Sequence, residues 1–213
     1  VWGRKELEQL VALCIQYDVY LLSDEIHADI LIQKAYTPIF TLPNAAEAKI
    51  ITCIAPTKTF NIAGIHAAMI VAPNKELFTA LGKNSQAPGN LGLHTFAGTA
   101  VKAVYNDGAA WLDELLLYLK NNMEYVAQEL NAIEGITVKI PDATYLMWID
   151  YRATGIEEKE LMNRLLTIGQ VALDPGTKYT EAGRGFLRIN VACPFDTLKD
   201  GVERIKKTLQ TFK

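Results

Sequence analysis

The chain has 213 residues, half of them apolar and about a fifth charged, with a formal net charge of −3. That length can bury a core of its own, and the mild acidity excludes the basic footprint that nucleic acid or an anionic membrane surface demands. Cys14, Cys53 and Cys193 lie far apart in apolar runs, which predicts reduced thiols of a cytoplasmic protein, with no disulfide frame and no metal site.

The chain opens on Val1 and enters a helical pattern almost at once, so a cut terminus without a signal peptide is expected. Leu7, Leu10, Val11, Cys14 and Ile15 recur at helical spacing, giving an amphipathic helix that ends near Asp18. Val19–Leu22, Ile50–Ile54 and Ala67–Ala72 are short, solidly apolar runs between polar turns. They predict strands buried on both faces, as in a sheet covered by helices. The uncharged stretch Thr59–Pro73 is too short to cross a bilayer and contains Asn61 and His66. Asn74–Asn84 and His94–Tyr105 read as looser helices, and from Ala110 the spacing of Leu112, Leu115, Leu119, Met123, Val126 and Leu130 predicts a long one, stopped by Gly135.

Beyond that helix the character changes. Strands are expected at Thr137–Ile140 and Tyr145–Asp150, joined by a Pro141-Asp142 turn. A helix around Glu157–Ile168, strands at Val171–Leu173 and Phe186–Val191, and an amphipathic helix through Leu198, Val202, Ile205, Leu209 and Phe212 complete the chain. The fold class is α/β. We place a boundary near Gly108, with a sheet domain over 1–108 and a smaller α+β domain over 109–213.

Three polar residues stand where chemistry is usually placed. Asp24 follows the first strand, and carboxyl ends of strands are where open α/β sheets hold ligands; an isolated Asp there is more often a turn former or helix cap. Lys58 follows the second strand on the same expected edge, where a lone Lys is normally a solvated charge. Arg188 lies inside a strand whose alternation sets it opposite Leu187 and Ile189. It could equally bind a ligand or pair with a nearby carboxylate.

In combination these segments carry a resemblance. Asp24-Glu25-Ile26-His27 after one strand, Thr57-Lys58-Thr59-Phe60-Asn61-Ile62-Ala63-Gly64 after the next, and Arg188-Ile189-Asn190-Val191-Ala192-Cys193-Pro194 near the end resemble fold-type I pyridoxal-phosphate (PLP) enzymes of the aspartate aminotransferase superfamily. Trp111-Leu112-Asp113-Glu114 and Ala143-Thr144-Tyr145-Leu146-Met147-Trp148 resemble, within them, the MalY/PatB-type cystathionine β-lyase (C–S lyase) branch. The resemblance covers the whole chain and implies the C-terminal part of the PLP-dependent transferase fold. Lys58 would carry PLP and then serve as the base at the substrate Cα. Asp24 would keep the pyridine nitrogen protonated, His27 would contact the cofactor where many relatives have Tyr, and Thr57 would hydrogen-bond the phosphate. Arg188 would bind the substrate α-carboxylate through its planar fork.

Two departures are visible. Aminotransferases of this fold usually have an Arg eight positions after the lysine, where this chain has His66; the lyase branch commonly lacks it. The family's N-terminal half, with its phosphate loop and ring-stacking aromatic, is absent. The resemblance therefore implies β-elimination from a cysteine-type amino acid by an intact, homodimeric parent. Alternatives are an aminotransferase on the same fold and a non-catalytic interaction or regulatory module, and the isolated chain is expected to be inactive.

Overall fold

The computed structural model describes residues 1–85 and 92–212. They form two compact units, one of Val1–Glu114 with Asp142–Thr144 and one of Leu115–Pro141 with Tyr145–Lys213. The expected boundary at Gly108 falls on the cap between two helices, ahead of that division.

In the first unit α1 (Arg4–Gln16) buries Leu7, Val11 and Cys14, and Leu7 and Val11 join Ile39, Leu42, Ala45, Ala48 and Ile50 in one apolar cluster. Asp18 turns the chain out of α1 at φ 52°, a left-handed conformation that Asp tolerates because its short side chain bonds locally. The sheet follows, with β1 (Tyr20–Asp24), β2 (Lys49–Ile54) and β3 (Met69–Val71) in the order β1-β2-β3. β1 and β2 are parallel, with Leu21 opposite Ile50 and Asp24 opposite Cys53, and β3 runs antiparallel to β2. The crossover from β1 to β2 holds only a 3-10 turn at Ile39–Thr41. A single turn, α2 (Pro56–Thr59), comes directly after β2, and α3 (Lys75–Ser85) and α4 (Ala97–Asp107) follow β3.

The expectation of strands buried on both faces is met on one face of β2 only, where Ile50 and Thr52 are fully covered, while Ile51 and Cys53 on the other face are partly buried. It fails for β1 and β3. Among the described residues the sheet has three strands, so these two are its edges, and Leu22 and Ile70 are 67% and 55% exposed. An apolar run reports the hydrophobicity of a strand and not its place in the sheet.

α5 (Ala109–Asn131) carries the chain from one unit to the other. The second unit has β4 (Thr137–Val138), β5 (Leu146–Asp150), β6 (Asp174–Pro175) and β7 (Phe186–Asn190) in the order β4-β5-β7-β6, all neighbours antiparallel. α6 (Glu158–Arg164) continues into a π turn at Leu165–Gly169, and α7 (Phe195–Gln210) ends the unit. Leu119, Met123, Val126 and Leu130 of α5, Met147 and Ile149 of β5, and Val202 and Ile205 of α7 are all buried here. No described helix is long and apolar enough to cross a membrane.

Two sequence expectations need correction in this unit. The residues of the strand expected at Val171–Leu173 lie outside the sheet, with the Val171 N–H bonded to the Leu165 carbonyl at 2.9 Å, and the pairing falls on Asp174 and Pro175, opposite Arg188 and Leu187. The Pro141-Asp142 segment is more than a turn. Asp142–Thr144 belongs to the first unit, where the Asp142 carbonyl accepts the Ile32 and Gln33 N–H groups and Ala143 bridges Leu31. The Asp142 side chain pairs with Lys34 at 2.8 Å and with the Val1 amine at 3.2 Å, and the Lys34 hydrogen bond, more than the amine, holds its carboxyl below the usual range.

Candidate active site

The parallel register of β1 and β2 ends both strands at the same edge of the sheet, with Asp24 the last residue of β1. Asp24 is exposed, and its Oδ1 accepts the Ile26 N–H at 3.2 Å. Glu25, the next residue, turns inward. Its carboxylate accepts the Ser23 hydroxyl at 2.9 Å, the Ile39 N–H at 3.2 Å and the Tyr36 hydroxyl. Burial pushes the Glu25 carboxyl up, although the Ile39 and Ser23 bonds oppose it. One acid therefore anchors the crossover, and the other faces outward at the strand end.

Lys58 stands on α2 at the end of β2. Pro56 starts this turn, a position where its missing N–H costs nothing. The Phe60 N–H closes on the Pro56 carbonyl at 2.9 Å and the Ile62 N–H on the Thr57 carbonyl at 3.0 Å, with Asn61 in a left-handed conformation at φ 53°. Thr57 and Thr59 flank Lys58 and are both buried. The Thr59 hydroxyl donates to Asp29 Oδ2 at 2.8 Å, tying the turn to the segment after β1. Phe60 packs on Trp111 with centroids 5.8 Å apart and meets Tyr105 edge-on at 6.3 Å. With its neighbours held inward, Lys58 projects outward, and its amine has no partner among the described residues.

Beside β1 lies a cavity of about 380 Å³ whose lining includes Val1, Trp2, Asp24, Glu25, His27 and Ala143. Neither Lys58 nor Thr57 lines it. Thr144, at φ 69°, sets its hydroxyl 3.3 Å from His27 Nδ1. His66 is exposed and left-handed, at φ 51° and ψ 45°. No group of three or more His, Cys, Asp or Glu among the described residues could hold a metal ion.

In the second unit, the β7 alternation buries Leu187 and Ile189 and sets Arg188 half-exposed on the opposite face, across from Trp148 of β5. Arg188 Nη2 donates to Asp174 Oδ2 at 2.7 Å. Asp174 also accepts Lys178 Nζ at 2.6 Å and the Tyr179 hydroxyl at 3.0 Å. Lys178 first, then Arg188 and Tyr179, hold its carboxyl down at about 2.

The model of the family described as aminotransferase class I and II matches residues 1–205. The chain belongs to the aminotransferase class I and II family. Among curated members it is 40% identical over 210 residues to cystathionine beta-lyase PatB of Bacillus subtilis, covering 98% of this chain and 54% of that protein. It is 36% identical to protein MalY of Escherichia coli, covering 95% and 52%. Cystalysin from Treponema denticola, a solved structure that contains pyridoxal 5'-phosphate, aligns with a TM-score of 0.93 at 29% identity over 100% of this chain and 55% of that one. The chain thus spans about half the length of the curated relatives it matches.

Sequence reasoning about this family member singled out Asp24, Lys58, Thr57, His27 and Arg188. The structure brings Asp24 and Lys58 to the same end of neighbouring strands, sets Thr57 next to Lys58, and places His27 with Asp24 along one cavity. Arg188 is in the other unit. Unread in the sequence were the inward turn of Glu25, the Thr144 contact to His27 and the Asp174 contact to Arg188. The first had no usable signal, since Asp24, Glu25 and Asp29 are all acids near the same crossover.

Proposed function

We propose that the full-length protein is a PLP-dependent carbon–sulfur lyase acting on a small cysteine-type amino acid, as a cytoplasmic homodimer, and that this chain supplies its cofactor lysine. The observation that carries the reading is the exposed Lys58 amine, without a partner among the described residues, after the strand end next to that of Asp24. The lyase names borne by PatB and by the Staphylococcus hominis C–S lyase, 30% identical to this chain with a TM-score of 0.87, support the choice of reaction.

The donor set fits PLP. A primary amine (Lys58), an exposed carboxylate with one oxygen uncommitted among the described residues (Asp24) and a hydroxyl at the start of a tight turn (Thr57) match an aldehyde, a pyridine nitrogen and a phosphate. Bound there, PLP supplies an electron sink for the pair left when the substrate's Cα–H bond breaks. Asp24 would keep a proton on the ring nitrogen, because a carboxylate beside that nitrogen favours its charged form. The Thr57 hydroxyl would donate to the phosphate, and His27, whose Nδ1 lies 3.3 Å from the Thr144 hydroxyl, would contact the cofactor. For Arg188, in the other unit, the family resemblance implies binding of the substrate carboxylate. Lys58 takes the proton from Cα, and the Cβ–S bond then breaks with its electron pair leaving on sulfur. With one water consumed, the products are a thiol, pyruvate and ammonia.

The second reading, transamination, shares the first proton transfer and differs in where the proton returns. His66, exposed where aminotransferases usually carry Arg, favours the lyase. To test this, cystathionine is supplied to the full-length protein without any keto acid while pyruvate and free thiol are followed. Both should accumulate together. Pyruvate that appears only with an added amino acceptor, or a new amino acid in its place, selects the aminotransferase.

A further inference from the structure

Asp174 and Arg188 are register partners across β6 and β7, so their contact is set by backbone pairing and not by chance meeting of two long side chains. A carboxylate on an arginine that binds carboxylates can do one of two things. It can fill the fork and block it, or it can hold the guanidinium in place.

The geometry separates these. To fill the fork, both oxygens must face two coplanar N–H groups. Asp174 divides its oxygens among three donors: Oδ1 accepts Lys178, and Oδ2 accepts both Tyr179 and a single arginine nitrogen, Nη2. The other guanidinium nitrogens of Arg188 have no partner among the described residues. A second constraint acts at right angles. The Tyr179 ring lies over the guanidinium, with 4.7 Å from Cζ to the ring centroid, and is itself braced edge-on by Trp148 at 5.6 Å. One contact fixes the rotation of the planar group and the other fixes its plane. Lys178, Arg188 and Asp174 together carry one surplus positive charge, which a substrate carboxylate would neutralise.

We propose that Asp174, working with the Tyr179 ring, is the positioning residue for Arg188, presenting the open edge of its guanidinium to the α-carboxylate of the substrate. The inference rests on the carboxylate-binding reading of Arg188 and goes beyond it. An arginine already held in its binding geometry loses less freedom when the ligand arrives, so the effect belongs in substrate affinity and not in the chemical step.

The test compares Asp174→Asn, Asp174→Ala, Tyr179→Phe and Arg188→Lys in the full-length protein. KM and kcat for cystathionine are measured with thermal unfolding and the cofactor absorbance of the unliganded protein. Asp174→Ala should raise KM about fivefold to tenfold with kcat within about twofold, as loss of a half-exposed, charge-assisted hydrogen bond implies. Asp174→Asn, which keeps an acceptor and the side-chain shape, should fall between Ala and wild type. Tyr179→Phe keeps the ring and loses only a hydroxyl, so about twofold is expected. Absorbance should not change. The sign is decisive, since removing a negative charge beside a cation would by field alone tighten carboxylate binding. A KM that is unchanged or lower in Asp174→Asn, with Arg188→Lys impaired, overturns the positioning role and leaves the Arg188 reading intact. Unaltered KM in Arg188→Lys overturns both. If the protein proves to transaminate, the same comparison applies, because that substrate carries the same carboxylate.

Discussion

Gly108→Ala tests how the fold supports the Lys58 turn. Gly108 caps α4 at φ −84° and ψ −5°, a conformation any residue can adopt. Chain entropy alone would then favour Ala by about 0.4–1 kcal/mol. Space argues the other way, because a Cβ there would lie 2.3 Å from the Val104 carbonyl oxygen and 2.5 Å from Phe60 Cε1. The carbonyl cannot retreat without losing its 3.0 Å bond from the Gly108 N–H, and the ring is wedged between Trp111 and Tyr105. Overpacking of this kind costs about 1–3 kcal/mol. The net is a loss of about 1–2 kcal/mol, or roughly 2–8 °C in Tm for a protein of this size. Phe60 sits two residues after Lys58, so a displaced ring shifts the turn, and turnover should fall as well. Thermal unfolding of this chain and the lyase rate of the full-length protein are measured for Gly108→Ala and for Gly108→Ala with Phe60→Leu, in which the smaller side chain should restore part of both. A rise in Tm for the single variant would refute the reasoning, since the entropic gain would then act unopposed.

Two further outcomes are expected. Borohydride reduction of the full-length protein with PLP, followed by peptide mass spectrometry, should place the pyridoxyl group on Lys58; an adduct on Lys75 or Lys83 with Lys58 unmodified rejects the assignment. Asn122, 1% exposed, donates through Nδ2 to the Val191 carbonyl at 2.9 Å and the Cys193 carbonyl at 3.3 Å, holding the segment after β7. Asn122→Leu should cost about 2 kcal/mol because it strips the buried Val191 carbonyl of its side-chain donor, while the Cys193 carbonyl keeps the Tyr118 hydroxyl at 3.3 Å, and an unchanged denaturation midpoint would show that other donors replace it.

Elements whose partners are close in sequence were legible. The helical spacing of Leu7, Val11 and Cys14 marks the buried face of α1 directly, and the alternation of Leu187, Arg188 and Ile189 puts the arginine on the face it occupies. What the periodicity could not carry was pairing. Val171–Leu173 is apolar enough to be a strand, yet the ladder falls on Asp174 and Pro175, because register is set by β7 and not by local hydrophobicity. Asp142 shows the same limit at longer range. Pro141-Asp142 has turn chemistry, and nothing local says that its carbonyl will take two N–H groups from residues 32 and 33.

The candidate site divides along the same line. Asp24 ends one apolar strand and Lys58 stands on the turn just after the next, and a parallel pair brings such positions to one edge whatever the loops do. The inward or outward sense of neighbouring residues is a different matter. In Asp24-Glu25 two carboxylates of like charge differ by one methylene, and only the crossover decides that Glu25 goes inward, by offering the Ile39 N–H and the Tyr36 hydroxyl. In Thr57-Lys58-Thr59 the two hydroxyl side chains are covered and the amine is not, because the Thr59 bond to Asp29 fixes the turn's rotation. Asp174 was the least accessible to sequence reasoning. It precedes Pro175-Gly176, where an Asp is usually a turn residue, and its contact with Arg188 exists only because β6 pairs with β7 in that register. A residue that acts by holding another carries no motif of its own, so its role becomes visible only when the geometry of the residue it holds is known.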